Sequence, residues 1–212
     1  MTVFSAQFKS DSISISFTYN KKFILNSTTM PNLEASFRAL RVLHAAKDLF
    51  NQNGFYIGID RIIEEAKIPK ATFYNYFHSK ERLIQMSLTF QTDALKYEVF
   101  SIIHSYRELM VFDKLKKIFF IHANLVGFYR LPFKAIFEIE KLYPVAYEVV
   151  SDYRNWFINE IYKLLLTVKP AAKVEDAYMF LFVIDGAMVQ LLSANKIDER
   201  DKLLEYFMST LA

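Results

Sequence analysis

The segment Lys70-Ala71-Thr72-Phe73-Tyr74-Asn75-Tyr76 carries the side chains on which chemistry can be built. Pro69 precedes it, and a proline's fixed φ suits the start of a helix. At about 100° per residue, Phe73 and Phe77 share one face and anchor the helix to its neighbours. Ala71 and Asn75 then point away from that face, flanked by Thr72 and Tyr74. A small methyl, a hydroxyl, a phenol and an amide thus stand together near a helix N-terminus. These groups suit a major groove: Asn can bond adenine in bidentate fashion, and a Thr or Ala methyl can meet the thymine methyl. Lys67, Lys70, Lys80 and Arg82 surround this face against the single carboxylate of Glu81, a net of +3 over Lys67–Arg82. Positive charge gathers where phosphates would lie. Asn75 reads either as a base contact or as a solvent-facing amide, and Tyr76 either as a DNA contact or as packing.

Other chemistries find little support. No Gly-rich phosphate loop, nucleophile elbow or clustered carboxylate pair is present, and Glu138 and Glu140, two apart, face different sides of a helix. Enzyme is the class rejected. His44, His78, His104 and His122 show neither HxxxH nor HExxH spacing, so neither a metal site nor a cofactor is expected. His122 falls in an apolar stripe with Leu115, Ile118, Phe119 and Val126. It reads first as a core histidine with its hydrogen bonds satisfied, and second as a ligand contact. A candidate ligand pocket draws Phe119, His122, Phe133, Phe137 and Trp156 from three neighbouring helices, with His122 and Tyr153 as polar groups. It would take a small hydrophobic or planar aromatic effector. The competing reading has these rings filling a core, in a constitutive DNA-binding protein or helical interaction module with no small-molecule input.

Helices must position all of these groups. Among 212 residues there are only 4 Gly and 5 Pro, which points to long helices and an all-α fold. A first helix is predicted from about Leu33 to Asn53, closed by Gly54. Ile59, Ile62, Ile63 and Ala66 define a short second helix, and Pro69 opens the third. Ser79 reads as the N-cap of a long fourth, with Glu81 in its first turn. Pro132 and Pro144 each look like a helix start. Asp198 reads as the cap of a last helix carrying Leu203, Leu204, Phe207, Met208 and Leu211. Before it, Ala177–Ile184 is apolar around its whole circumference, so it must be buried on every side. One face can meet its own core, and the opposite face needs a partner. Phe182, Met188, Leu192, Leu204, Phe207 and Leu211 are therefore the candidate interface of a two-fold homodimer.

Texture sets a weakly ordered extension over 1–31 apart; in the helical remainder the helix-turn-helix pattern places a DNA-binding domain over 32–80, and the candidate pocket and pairing residues make 81–212 the expected helical ligand-binding and dimerisation domain. Ser12–Phe17 alternates polar and apolar residues, a strand pattern without a partner sheet. Cysteine is absent, which excludes disulfide scaffolds and thiolate chemistry. No run reaches the roughly eighteen apolar residues of a membrane span, and no basic start precedes an apolar block. A cytoplasmic location without membrane contact is the expectation.

Val42–Phe50 with Asn53-Gly54-Phe55, Gly58–Ala66, and Lys70–Glu81 together resemble the first four helices of TetR-family transcriptional regulators. The resemblance covers the N-terminal helices and implies a homodimeric repressor bound to a double-stranded DNA operator, with a ligand-responsive helical C-terminal domain. By position it makes Thr72, Tyr74 and Tyr76 contacts to DNA backbone or bases, and Lys80 a contact to phosphate. Lys67 departs from the pattern: it stands where the family usually has Gly, so the turn either carries a positive φ at Lys67 or differs slightly. The loop Phe55–Gly58 is one residue short, and the residues before Asn32 have no counterpart.

Overall fold

Breaks in helical propensity set the limits of each element. In a computed structural model, residues 33–105, 108–194 and 197–211 are described, and every element among them is an α-helix. The extension over 1–31 and its strand pattern lie outside the described residues. The helices are α1 (Leu33–Asn53), α2 (Ile59–Ala66), α3 (Lys70–Phe77), α4 (Lys80–His104), α5 (Val111–His122), α6 (Arg130–Glu138), α7 (Pro144–Leu166), α8 (Val174–Ala194) and α9 (Ile197–Leu211).

Local chemistry explains most of the boundaries. α1 stops at Gly54, whose φ is +85° and whose N–H donates to the Phe50 carbonyl at 3.0 Å. A Cβ there would also lie 2.9 Å from Glu138 Oε2, the end of a flexible side chain, so it is the positive φ that calls for glycine. Lys67 closes α2 at φ 52°, ψ 51°, in the left-handed conformation, the first of the two alternatives that the departure from glycine left open. Pro69 is the N-cap of α3 rather than its first residue; its carbonyl accepts from the Thr72 and Phe73 amides. Ser79 caps α4 as expected, its Oγ accepting from the Arg82 amide at 3.1 Å.

Three expectations about helix ends are corrected. Pro132 is the third residue of α6, not its start. First-turn amides have no intrahelical acceptor, so the missing N–H costs nothing there. α5 ends at His122, which leaves Val126 off the stripe and 91% exposed. α9 begins at Ile197, so Asp198 lies within it.

Two cores hold the helices together. The first joins Val42, Ala46 and Phe50 of α1 to Ile62 of α2, Phe73 and Phe77 of α3, and Leu83, Ile84 and Leu88 of α4. It also takes in Leu131, Ala135 and Ile139 near and on α6, and Ala146 and Val150 of α7. The division at residue 80 therefore cuts through a continuous core. The second core packs the distal part of α4 with α5, α7, α8 and α9. α4 and α7 run against each other and connect the two. Val174–Ser193, nearly all of α8, is long and apolar enough for a membrane span by length and composition, which corrects the shorter apolar run read from sequence. Here Ala177, Phe180, Ile184 and Met188 of that helix are buried in the second core.

Candidate nucleic-acid interface and the C-terminal interior

α3 owes its orientation to two phenylalanines. Phe73 and Phe77 are fully buried, with ring centroids 5.4 Å apart. Burying two such rings stabilises the docking by roughly 2–3 kcal/mol each. The face left outside holds Lys70, Ala71, Tyr74 and Asn75 exposed, with Thr72 and Tyr76 half-buried beside them. Tyr76 packs against the first core while keeping part of its ring at the surface. Lys70 donates to Asp60 at 2.8 Å, which ties the start of α3 to the start of α2. Exposed pairs of this kind contribute little stability, so the lysine is readily released to another anion. Lys80 Nζ lies 5.4 Å from the centroid of the Tyr143 ring, and Glu81 Oε1 accepts from the Val145 amide at 3.2 Å. The base of α4 is thereby tied to the α6–α7 corner.

Three charged side chains of α6 were not legible as functional from sequence. Arg130 Nη2 and Lys134 Nζ both donate to the Asn51 carbonyl near the end of α1, at 3.4 and 3.2 Å. Glu138 Oε2 accepts from the Phe55 amide at 2.9 Å. The cations satisfy a helix C-terminus and the carboxylate meets the next free amide, as helix ends require. Partners some eighty residues apart leave no local pattern to read.

The candidate ligand residues are brought together as a packed cluster. His122 is fully buried between the Tyr129, Tyr153 and Phe157 rings, with centroids 5.0, 6.1 and 4.7 Å away. Its Nδ1 lies 2.7 Å from the Ile118 carbonyl, which can only accept, so Nδ1 carries the proton. Nε2 then accepts from the Tyr153 hydroxyl at 2.5 Å. Burial holds the imidazole neutral, its pKa lowered to about 4, and raises that of the Tyr153 phenol. The two polar groups named as candidates to meet an effector thus hydrogen-bond each other, in keeping with the first reading of His122 as a core histidine with its hydrogen bonds satisfied. Phe119 and Phe133 are buried in the same core, and Trp156 is half-buried against it. Phe137 lies at the rim, its ring 5.3 Å from that of Phe133 and 71% exposed.

A second polar network went unnoticed in the sequence. Arg154 donates to both carboxylate oxygens of Asp185, at 3.1 and 2.7 Å, and to the Tyr129 hydroxyl at 2.7 Å. Tyr129 in turn donates to Asp185 at 2.8 Å. It joins α7 and α8 to the start of α6. Among the described residues, no group of three or more acidic or histidine side chains could hold a metal ion.

The candidate dimer residues divide into two sets. Phe182 is 55% and Leu192 49% exposed on α8, and Tyr178, Met179 and Val189 extend the same apolar surface. Met188, Leu204 and Phe207 are buried within the protomer, so their assignment to an interface is corrected. The Leu211 side chain lies outside the described residues.

Comparison with known proteins fits this arrangement. Residues 42–85 match the family model described as bacterial regulatory proteins, tetR family. No curated protein matches the sequence. Among solved structures, NemR of E. coli in its reduced form is similar over 81% of this chain and 96% of its own, with TM-score 0.72 and 18% identity. SCO4454, a TetR-family transcriptional regulator from Streptomyces coelicolor, is similar over 85% and 97%, with TM-score 0.71 and 23% identity. The fatty acid degradation regulator FadR of Bacillus halodurans is similar over 82% and 94%, with TM-score 0.65 and 17% identity. The matched segment takes in most of α1, all of α2 and α3 and the start of α4, the helix-turn-helix that presents α3. The likeness is thus of two kinds: residues 42–85 match the family model, and the fold as a whole is similar to those solved structures.

Proposed function

We propose that the protein is a homodimeric repressor that places Lys70–Tyr76 of each protomer in successive major grooves of a palindromic operator. The observation that carries this reading is the division of α3: Phe73 and Phe77 inside, and Ala71, Tyr74 and Asn75 outside among Lys67, Lys70, Lys80 and Arg82. A two-fold pair matches two half-sites one or more helical turns apart. The exposed apolar face of α8 supplies a surface for that pairing. A small hydrophobic or aromatic effector bound to the C-terminal domain would favour a conformer whose recognition helices no longer match the operator spacing. The contacts from α6 to the end of α1 offer a physical link between the two regions. A second reading, a constitutive DNA-binding protein, draws support from the closed His122–Tyr153 cluster.

Mobility shifts on operator and random duplexes at two salt concentrations test the DNA assignment. Thr72→Ala and Asn75→Ala are expected to alter the preferred sequence, each losing roughly 1–3 kcal/mol of discrimination where it meets a base edge. Lys80→Ala is expected to weaken binding to every duplex and to flatten the salt dependence by about one counterion. Unaltered binding by all three variants would sink the assignment.

A further inference from the structure

The seam between α1 and α4 carries polar groups where a helix contact is ordinarily apolar. His44, Lys47 and Asn51 share one face of α1 at i, i+3 and i+7, and Ser87 and Gln91 share one face of α4 at i and i+4. A cleft of about 320 Å³ opens there, lined also by Phe90 and by residues 125–128 between α5 and α6. Against it lies a pocket of about 10 Å³, room for a single polar group, lined by His44, Lys47, Phe90 and Gln91 again and by Ser87. Ser87 is 2% exposed and its Oγ has no hydrogen-bond partner; Asn51 Oδ1 is buried without a donor. Among the described residues these are the buried side-chain polar atoms left unpaired, and both stand in this one seam. Such atoms are costly to bury, which points to a ligand with donors of its own. Asn51 Oδ1 is distinct from the Asn51 carbonyl, which Arg130 and Lys134 already cap. Lys47 pairs with Asp48 at 3.2 Å on the rim, so the floor of Ser87, Gln91 and Asn51 is uncharged. None of the lining residues belongs to α8, so pairing through the α8 face leaves the cleft open.

We infer that this seam binds a small uncharged aromatic amide, its carboxamide on Ser87 and Gln91, a second N–H donor on Asn51 Oδ1, and its ring against Phe90 and His44. The His44 and Phe90 rings meet edge to face at 6.5 Å and give the ring an aromatic wall. Ser87 Oγ accepts from the carboxamide N–H, and the Gln91 amide donates to its carbonyl. Unpaired acceptors select against a hydrocarbon, and a neutral floor selects against an ion. Occupancy bonds α1 to α4, the two helices against which α3 packs, and so fixes the angle between them. That consequence for DNA rests on the effector-responsive reading above, whereas binding itself is independent of it.

Ligand-observed NMR titration of the full chain with 3-aminobenzamide and with benzamide, in the absence of DNA, is the test. 3-Aminobenzamide is expected to bind with a Kd of about 1 mM or tighter, and benzamide, which lacks the second donor, about tenfold more weakly. Asn51→Ala should remove that preference, and it keeps the carbonyl at the end of α1. Ser87→Ala should weaken both compounds about tenfold without lowering the melting temperature, since it deletes an unpaired hydroxyl. No binding by the full chain, equal affinity for the two compounds, or binding untouched by both substitutions overturns the site. A lower melting temperature for Ser87→Ala also overturns it, because the hydroxyl then has a structural partner, a single bridging water included. Operator affinity unmoved by bound 3-aminobenzamide counts against the effector reading and leaves the site standing.

Discussion

Two titratable groups, His122 buried and Glu98 half-buried, pull the stability of this protein in opposite directions with pH. Glu98 on α4 has its carboxyl pushed up to about 7 by burial. A raised pKa means the folded state holds the proton more tightly, so this stability is full below the ordinary value of 4.5 and is lost as pH rises through 7. His122 has the reverse sign: its pKa falls from 6.5 to about 4, so its contribution is full above 6.5 and is lost as pH falls through 4. Across the shared window the two slopes oppose each other. Glu98→Gln is expected to stabilise the protein by roughly 1–3 kcal/mol at pH 8 and to give no gain near pH 4. Thermal melts at both pH values check this, and an equal gain at both would refute it. The sequence announced His122, because it falls on an apolar stripe. Tyr153 was named beside it as a polar group of one cavity, but their hydrogen bond and the burial of Glu98 were not legible, since both depend on how α4 and α5 pack against α7.

At the scale of the element, the recognition helix is held between two strained joints. Lys67 before it and His78 after it have φ of 52° and 59°, the positive-φ non-glycine residues among the described ones. Each costs on the order of 1–3 kcal/mol, repaid by the burial of Phe73 and Phe77. Lys67→Gly relieves the first joint and is expected to stabilise the fold by about 1 kcal/mol, read as a higher denaturation midpoint at unchanged slope. No stabilisation would mean that Lys67 gains elsewhere what its backbone loses. This joint was legible, because a lysine stood where the resemblance calls for glycine. The limits of α1 to α4 were legible for the same local reasons: a glycine stop, a proline entry and a serine cap. The start of α6 was not, because a proline is tolerated anywhere in a first turn.

For the whole molecule, the apolar circumference of α8 said that two faces are covered without saying which is which. A helix apolar all round has no periodicity from which to assign an inner side. The structure turns Met188 inward and Phe182 outward. Phe182→Glu is therefore expected to yield a folded monomer that no longer binds its operator, whereas Met188→Glu places a charge in a core and abolishes folding. Sedimentation and circular dichroism separate the two outcomes; a dimeric Phe182→Glu variant would move the interface elsewhere. The shared core around α3 has a consequence for synthesis. Val42 through Leu88 share it with Leu131, Ala135, Ile139, Ala146 and Val150. On the ribosome the recognition helix emerges long before the residues that complete its packing, a wait on the order of several seconds at ordinary elongation rates. Over that interval Phe73 and Phe77 lack their finished core, so the nascent chain depends on slow, non-local closure before α3 is fixed in place. A fragment released before Val150 should accordingly be aggregation-prone, and competence for DNA should be acquired late, when α6 and the first turns of α7 have closed over α1 and α4.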